Sequence, residues 1–399
     1  MRLLLIAPTA NRESTGEARI AYDWVSRLAE RHDVTVLSYF QRAHEPLASQ
    51  IANARVVEWA EPRLVGRYER INAMMNPGYV PFRRRARAWI RSATAHGERF
   101  DIGHQVAPIS LRYPSPLTGT GVPYVVGPVG GSLQSPPGFS AEEGGAPGFT
   151  ALRRLDRARL RYDPQLRRSF ADASCVIGIA DYVRDILKDV PLRSFETLGD
   201  TGVDHLPPRA AGSARTTAVR FLFLGRVIRT KGVRDAIRAL ALLGPGRGTL
   251  DIVGDGYDRT ECESLAARLG VSSLVRFHGR VPHEAVCSHY SKADVFLFPS
   301  YREAGGIAVV EAMSYGLPVI VCDRGGPATT ANDISGFRVP AISPEQYARA
   351  LAGAMESLAG NPALRARMGG EARARIEKKY LWDRRIAWME SLYGRLLGR

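Results

Sequence analysis

Short β-branched runs alternate with helical patterns through most of the chain, and that rhythm points to parallel, doubly wound α/β sheets. RLLLIA (2–7) leads through the loop TANRESTG into a segment with Ala21, Trp24, Val25 and Leu28 on one helical face. DVTVLSY (33–39), FDIGHQ (100–105), VPYVVG (122–127) and ASCVIGIA (173–180) follow as strands. The Gly- and Pro-rich stretch 128–150 reads as one long loop, of the length that is usually functional. A second series starts after 199–218, which has the composition of a linker. Its strands are VRFLFLG (219–225), TLDIVGDG (249–256), VRFHGRV (275–281), DVFLFPS (294–300) and LPVIVCD (317–323). Helical segments follow at 344–360, from 361 and at 381–397.

A length of 399 residues exceeds one ordinary core and suits two domains of roughly 200 residues each. The expected architecture is two Rossmann-like domains, 1–200 and 215–380, facing a central cleft. The four cysteines, Cys175, Cys262, Cys287 and Cys322, form no CxxC pair and read as buried free thiols of a reducing compartment. The N-terminal apolar run is too short for a signal peptide, and no run approaches the roughly 20 apolar residues of a membrane span. A cytoplasmic protein is expected.

The formal charge is +15. Lys and Arg outnumber Asp and Glu by 27 to 21 in residues 1–200 and by 28 to 19 in 201–399, so the excess forms no tail. No recognition motif accompanies the charge, and nucleic acid is not expected as a partner. Two basic clusters stand out, FRRRARAWIR (82–91) and 153–168. Either is a solvated helix face or a contact to anionic lipid, where each basic residue adds about 1 kcal/mol. Phe82, Trp89 and Ile90 make 82–91 the better lipid candidate, peripheral on the inner membrane face.

In open α/β sheets ligands bind at the carboxyl ends of strands. After VRFLFLG comes GRVIRTKG, with Arg226 beside Gly225 and Lys231 before Gly232, two cations suited to a diphosphate. After DVFLFPS comes YREAGGIAVVEAM, where Glu303 precedes a Gly305-Gly306 pair, a helix opens near Ile307, and Glu311 lies within it. A helix N-terminus attracts anions, whereas carboxylates suit hydroxyls. A phosphate flanked by two polyols meets both demands, which describes a sugar nucleotide.

These segments, with CDRGGPATTANDISGFRVP after them and LDIVGDG and VRFHGRV between them, resemble the retaining glycosyltransferases of family 4, which have the GT-B fold. The resemblance is strong over about 215–340 and weaker over 1–60, where Gly16 lies in the first strand-to-helix loop. It implies that Arg226 and Lys231 bind the donor diphosphate, Glu303 the donor sugar and Glu311 the ribose. Backbone near Arg280 and Val281 would frame the base, and Gly16, Gly225, Gly254, Gly305, Gly306 and Ile307 would complete the donor side. It also implies that 381–399 crosses back to the N-terminal domain. Two departures are visible. Gly305 replaces a larger residue, and GPVGG (127–131) lacks the histidine many relatives carry after that strand. His104 is either its substitute or a structural histidine. Glu17, His104, Gly130 and Gly131 are the acceptor-side candidates.

The expected activity is metal-independent transfer of a sugar, with retention, from a nucleotide-diphosphate sugar (UDP favoured) to an acceptor hydroxyl. Asp294, Asp323 and Asp333 form no DxD pair, and no cofactor is expected. A carbohydrate or lipid-linked carbohydrate acceptor in cell-surface polysaccharide or glycolipid synthesis is the first reading. A small soluble acceptor, a sugar-nucleotide epimerase and a non-catalytic sugar-nucleotide binder are the alternatives. A dinucleotide oxidoreductase is disfavoured, because TANRESTG stands where GxGxxG would be needed.

Overall fold

The computed structural model describes residues 1–40, 44–61, 78–143, 154–209 and 218–399. Residues 210–217 of the expected linker, 144–150 of the long insert and Arg153 of the second basic cluster lie outside the described residues. The chain forms two compact units. One comprises Met1–Ser132, Phe149–Asp200 and Ile386–Arg399; the other comprises Leu133–Gly148 and Thr201–Arg385. The units are therefore interleaved along the chain.

The first unit holds β1 (Arg2–Ile6), β2 (Asp33–Phe40), β3 (Ala54–Ala60), β4 (Ile102–Gln105), β5 (Tyr124–Val129), β6 (Cys175–Gly178) and β7 (Phe195–Thr197). They form one parallel sheet in the order β3-β2-β1-β4-β5-β6-β7. The second unit holds β8 (Val219–Leu224), β9 (Gly248–Val253), β10 (Val275–Gly279), β11 (Val295–Phe298), β12 (Val319–Cys322) and β13 (Gly336–Val339), parallel in the order β10-β9-β8-β11-β12-β13. Both sheets reverse direction beside their first strand, between β1 and β4 and between β8 and β11. Ligands of open α/β sheets collect at such switch points.

Central strands are apolar on both faces, as a sheet covered by helices requires. Leu3, Leu4, Leu5 and Ile6 of β1 are all fully buried, and so are Val295, Phe296 and Leu297 of β11. Strands β3, β7 and β13 were not foreseen in the sequence. They lie at or near sheet edges, where exposed Arg55 and half-exposed Glu58 and Glu196 interrupt the apolar signal. Three helices begin on a polar residue followed by proline. Asp163, Ser343 and Asn361 each accept a backbone N–H through the side chain, and Pro164, Pro344 and Pro362 occupy the first turn.

Packing corrects two expectations. In the helix Tyr79–Ala95, Phe82 and Ile90 are fully buried, and Phe82 meets Tyr39 edge-on at 5.1 Å. Trp89 is half-buried, with the Arg55 guanidinium 5.4 Å from its ring centre. Phe82 and Ile90 therefore serve the core and cannot enter a lipid surface; Arg84, Arg85 and Arg91 remain exposed. Among the described residues no helix is long and apolar enough to cross a membrane. Of the four free cysteines, Cys175, Cys262 and Cys322 are buried as expected, but Cys287 is exposed.

His104, on β4, is fully buried. Its Nε2 lies 2.5 Å from the Gly127 carbonyl oxygen and its Nδ1 lies 2.5 Å from the Tyr393 hydroxyl. A neutral ring satisfies both, with Nε2–H donating to Gly127 and Nδ1 accepting from Tyr393. Both nitrogens are thus engaged, and the expectation that His104 faces an acceptor is corrected: it is a structural histidine. Burial pushes its pKa down to about 4, against a smaller opposing effect of the Gly127 carbonyl. The folded pKa is depressed, so the unfolded imidazole takes up a proton below pH 6.5 that the folded ring refuses until about pH 4. Stability is lost as pH falls through that window, by about 3 kcal/mol. In urea titrations followed by tryptophan fluorescence, His104→Gln is expected to be less stable at pH 7 and to lose this acid dependence. An unchanged slope would assign the loss to another group.

Candidate active site

The candidate residues of the second unit gather at the carboxyl ends of β8, β11 and β12. Beyond β8 the chain makes a short 3-10 turn, Arg229–Lys231, ended by Gly232 at φ 77°. A Cβ on Gly232 would run into the Pro299 carbonyl oxygen, so glycine lets the β8 and β11 loops touch backbone to backbone. Ser300 Oγ adds a hydrogen bond to the Thr230 carbonyl at 3.3 Å. This contact brings Lys231 to Glu303, and the two form an ion pair through Nζ and Oε2. Lys231 Nζ also lies 5.4 Å from the Phe298 ring centre. Arg226 is exposed and makes no ion pair among the described residues.

Beyond Glu303, Gly305 and Gly306 lead into the helix Ile307–Ser314, with Gly306 at φ 91°. Such a helix offers unpaired N–H groups at its mouth. Ile307 at this mouth is 47% exposed, so side-chain bulk does not bury the helix end. The loop after β12 closes in from the other side. The Gly326 amide donates to the Glu303 carbonyl at 3.2 Å, and a Cβ on Gly326 would meet the Gly305 oxygen. Glu311, half-buried in the helix, accepts a hydrogen bond from the Tyr290 hydroxyl at 2.9 Å. Tyr290 was not singled out in the sequence. It lies on the helix His283–Lys292, and nothing local in its sequence marks it as Glu311's partner.

Gly225 and Gly254 lie at the ends of β8 and β9 in close contact, and the Gly254 amide donates to the Gly279 carbonyl at 2.8 Å. Arg280, exposed, and Val281, half-buried, follow β10. The structure therefore puts Arg226, Lys231, Glu303, Glu311 and these glycines on the strand-end side of one sheet.

Gly16, grouped with the donor residues in the sequence, belongs to the first unit. There Gly16, at φ 67°, opens the helix Glu17–Ala29 after β1. Glu17 Oε1 accepts from the Ile109 amide at 2.9 Å, and the Ile109 carbonyl accepts from the Gly130 amide at 2.8 Å. The Gly131 amide donates to the Tyr182 hydroxyl at 2.9 Å. Gly16, Glu17, Gly130 and Gly131 thus share the carboxyl end of the first sheet at its switch point. Buried His104 is not among them. Ser132, Arg112 and Asp156 adjoin this group and were not foreseen. Asp156 accepts from Ser132 Oγ at 3.1 Å and from Arg112 at 2.8 Å. Among the described residues no set of three His, Cys, Asp or Glu side chains is arranged to hold a metal ion.

Residues 209–375 match the family described as "Glycosyl transferases group 1". A D-inositol 3-phosphate glycosyltransferase of Streptomyces griseus is 35% identical over 204 residues, covering 46% of this chain and 42% of that protein. The chain thus spans less than half the length of that curated relative. A sucrose-phosphate synthase from Thermosynechococcus elongatus superposes with a TM-score of 0.68 at 22% identity, covering 100% of this chain and 99% of that one. The Anabaena protein HepE in complex with UDP superposes with a TM-score of 0.65 at 17% identity, covering 98% and 100%. The chain has the GT-B fold of two Rossmann-like units, and its residues 209–375 match the glycosyl transferases group 1 family.

Proposed function

We propose that the chain is a retaining, metal-independent glycosyltransferase that moves a sugar from a nucleotide-diphosphate sugar to an acceptor hydroxyl. The observation that carries this reading is the Lys231–Glu303 pair, held across the β8/β11 switch point beside the mouth of the helix Ile307–Ser314. Cation and helix mouth suit a diphosphate, while Glu303 and Glu311 suit hydroxyls on either side of it. A UDP-sugar is the preferred donor, a choice supported by the UDP complex of the HepE relative.

In the proposed reaction the acceptor oxygen forms a bond to the anomeric carbon as the bond from that carbon to the diphosphate oxygen breaks. The departing diphosphate takes the electron pair, and its oxygen accepts the proton of the acceptor hydroxyl on the face it leaves. Lys231, Arg226 and the helix amides stabilise the charge that develops there, so the two cations do the work a metal does elsewhere. Glu311, which accepts from the Tyr290 hydroxyl, is assigned to the ribose. Glu17, Gly130 and Gly131 are assigned to the acceptor, and Gly16 to the donor side. In this reading Lys231→Ala lowers transfer by about a hundred- to a thousandfold, the usual cost of a lost transition-state donor. Glu303→Ala lowers kcat with UDP binding retained. Near-native transfer by both variants overturns the assignment. Conversion of the donor with no acceptor present would indicate an epimerase, and nucleotide binding without turnover a non-catalytic binder.

For the acceptor, the first reading remains a lipid-linked or polymeric carbohydrate at an anionic membrane surface in cell-surface polysaccharide or glycolipid synthesis. It now rests on charge alone, through Arg84, Arg85 and Arg91. Burial of Phe82 and Ile90 and the likeness to a D-inositol 3-phosphate glycosyltransferase favour a small soluble acceptor as the second reading. Liposome sedimentation separates them. The first requires binding to anionic vesicles at low salt that weakens with added salt and with Arg84→Ala/Arg85→Ala. Absence of binding leaves the soluble acceptor.

A further inference from the structure

The segment Leu133–Glu143 falls within the stretch expected to be plain loop, yet it is built into the second unit. Phe139, on the 3-10 helix Pro137–Glu143, is fully buried in that unit's core. Its ring centre lies 4.4 Å from that of Tyr301 and 5.9 Å from that of Tyr347. Gly138 passes against the Ile342 carbonyl oxygen with no room for a side chain. The Glu142 carboxylate accepts from Arg229 Nε at 2.9 Å and from Arg238 Nη2 at 2.8 Å. Arg229 is in turn bidentate to buried Asp235, at 2.6 and 3.1 Å. The Arg229 guanidinium carbon lies 5.4 Å from the Phe139 ring centre and 5.5 Å from that of Tyr301. Burial opposes the Arg229 charge, but Asp235 outweighs it and the guanidinium holds its proton more tightly than usual. At the other end Arg324 donates to the Gln134 carbonyl at 2.7 Å, and Leu133 occupies the space a side chain on Gly325 would need.

The register of these contacts is what matters. Arg229 is two residues before Lys231, and Tyr301 is two residues before Glu303. Arg324 adjoins Gly325, whose backbone is packed against the Glu303 carbonyl. One segment therefore grips the loops after β8, β11 and β12, each within two residues of the group or backbone that shapes the donor side. We propose that Leu133–Glu143 is a strap that positions Lys231 and Glu303 for the diphosphate and sugar of the donor, with Glu142 and Phe139 as its positioning residues; this rests on the glycosyltransferase reading. A lysine ends a flexible four-carbon stem, so its reach is defined only as well as the turn beneath it. Arg229, held on both sides by carboxylates and flanked by rings, immobilises that turn.

The test is calorimetric affinity for UDP and for UMP, with donor kcat and KM and a thermal melt, on the full chain and on Glu142→Ala, Glu142→Gln and Phe139→Leu. The strap predicts that Glu142→Ala weakens UDP by about tenfold, the scale of mutations that act on a ligand site without touching it. UMP, which lacks the outer phosphate, should bind as before. Glu142→Gln, which keeps the shape and one acceptor, should recover part of the loss, and it carries the test if Glu142→Ala does not fold. A UDP/UMP ratio unchanged in variants that melt like the wild type overturns the strap alone. A wild-type chain that binds neither nucleotide overturns the glycosyltransferase reading and the strap with it.

Discussion

Backbone meets backbone at the carboxyl end of the second sheet, and the arrangement of the charged groups there depends on that contact. Gly232 lies against the Pro299 carbonyl, and Gly325 and Gly326 lie against the carbonyls of Glu303 and Gly305. A side chain at any of these positions would push two strand-end loops apart. Lys231 and Glu303 would then part as well, because Lys231 directly precedes Gly232 and Glu303 itself carries one of those carbonyls. The contact is steric and needs no charge, which lets the charged groups remain half-exposed and available for a ligand.

Arginine has a different part in this unit from the one its number suggests. A basic excess invites a search for an anionic partner, but much of the guanidinium here is turned inward. Along the helix Pro362–Lys379, Arg365 donates to the Leu358 and Ala359 carbonyls, Arg373 to Ser314, and Arg375 to Thr329 and Thr330. Each of these carbonyls lies at the last turn of a neighbouring helix, where no intrahelical donor reaches. One helix thus supplies C-terminal caps to three others. The fork of donors suits that task better than a lysine ammonium would. Net charge is consequently a poor measure of how much positive surface is left for docking.

The alternation of apolar runs made the two parallel sheets legible, because buried central strands carry an unbroken signal such as LLLI or VFLF. Edge strands such as β3 were illegible because a half-wetted strand mixes polar and apolar residues without clear period. Lys231, Glu303 and Glu311 could be found because glycines bracket them and a strand precedes each loop. Their mutual approach could not, since it depends on contacts between loops some 70 residues apart in the chain, the separation of Lys231 and Glu303. Phe82 was misjudged, and His104 left open between two readings, for a common reason. A polar ring at a strand end and an aromatic among arginines both resemble surface features until the partner, Tyr393 or Tyr39, is known. The segment 133–143 has loop composition, and its anchoring through Phe139 and Glu142 was not read from the sequence.

The interleaving of the two units has a consequence for how the chain is made. The first unit is assembled from three stretches, and the last, Ile386–Arg399, supplies Tyr393, which engages the Nδ1 of His104 on β4. During synthesis, therefore, the N-terminal sheet must wait with a buried imidazole lacking its partner until the whole second unit has left the ribosome. The segment Leu133–Glu143 waits in the same way for the loops after β8 and β11. Neither unit is complete when its first strands emerge, so the two mature together instead of one after the other.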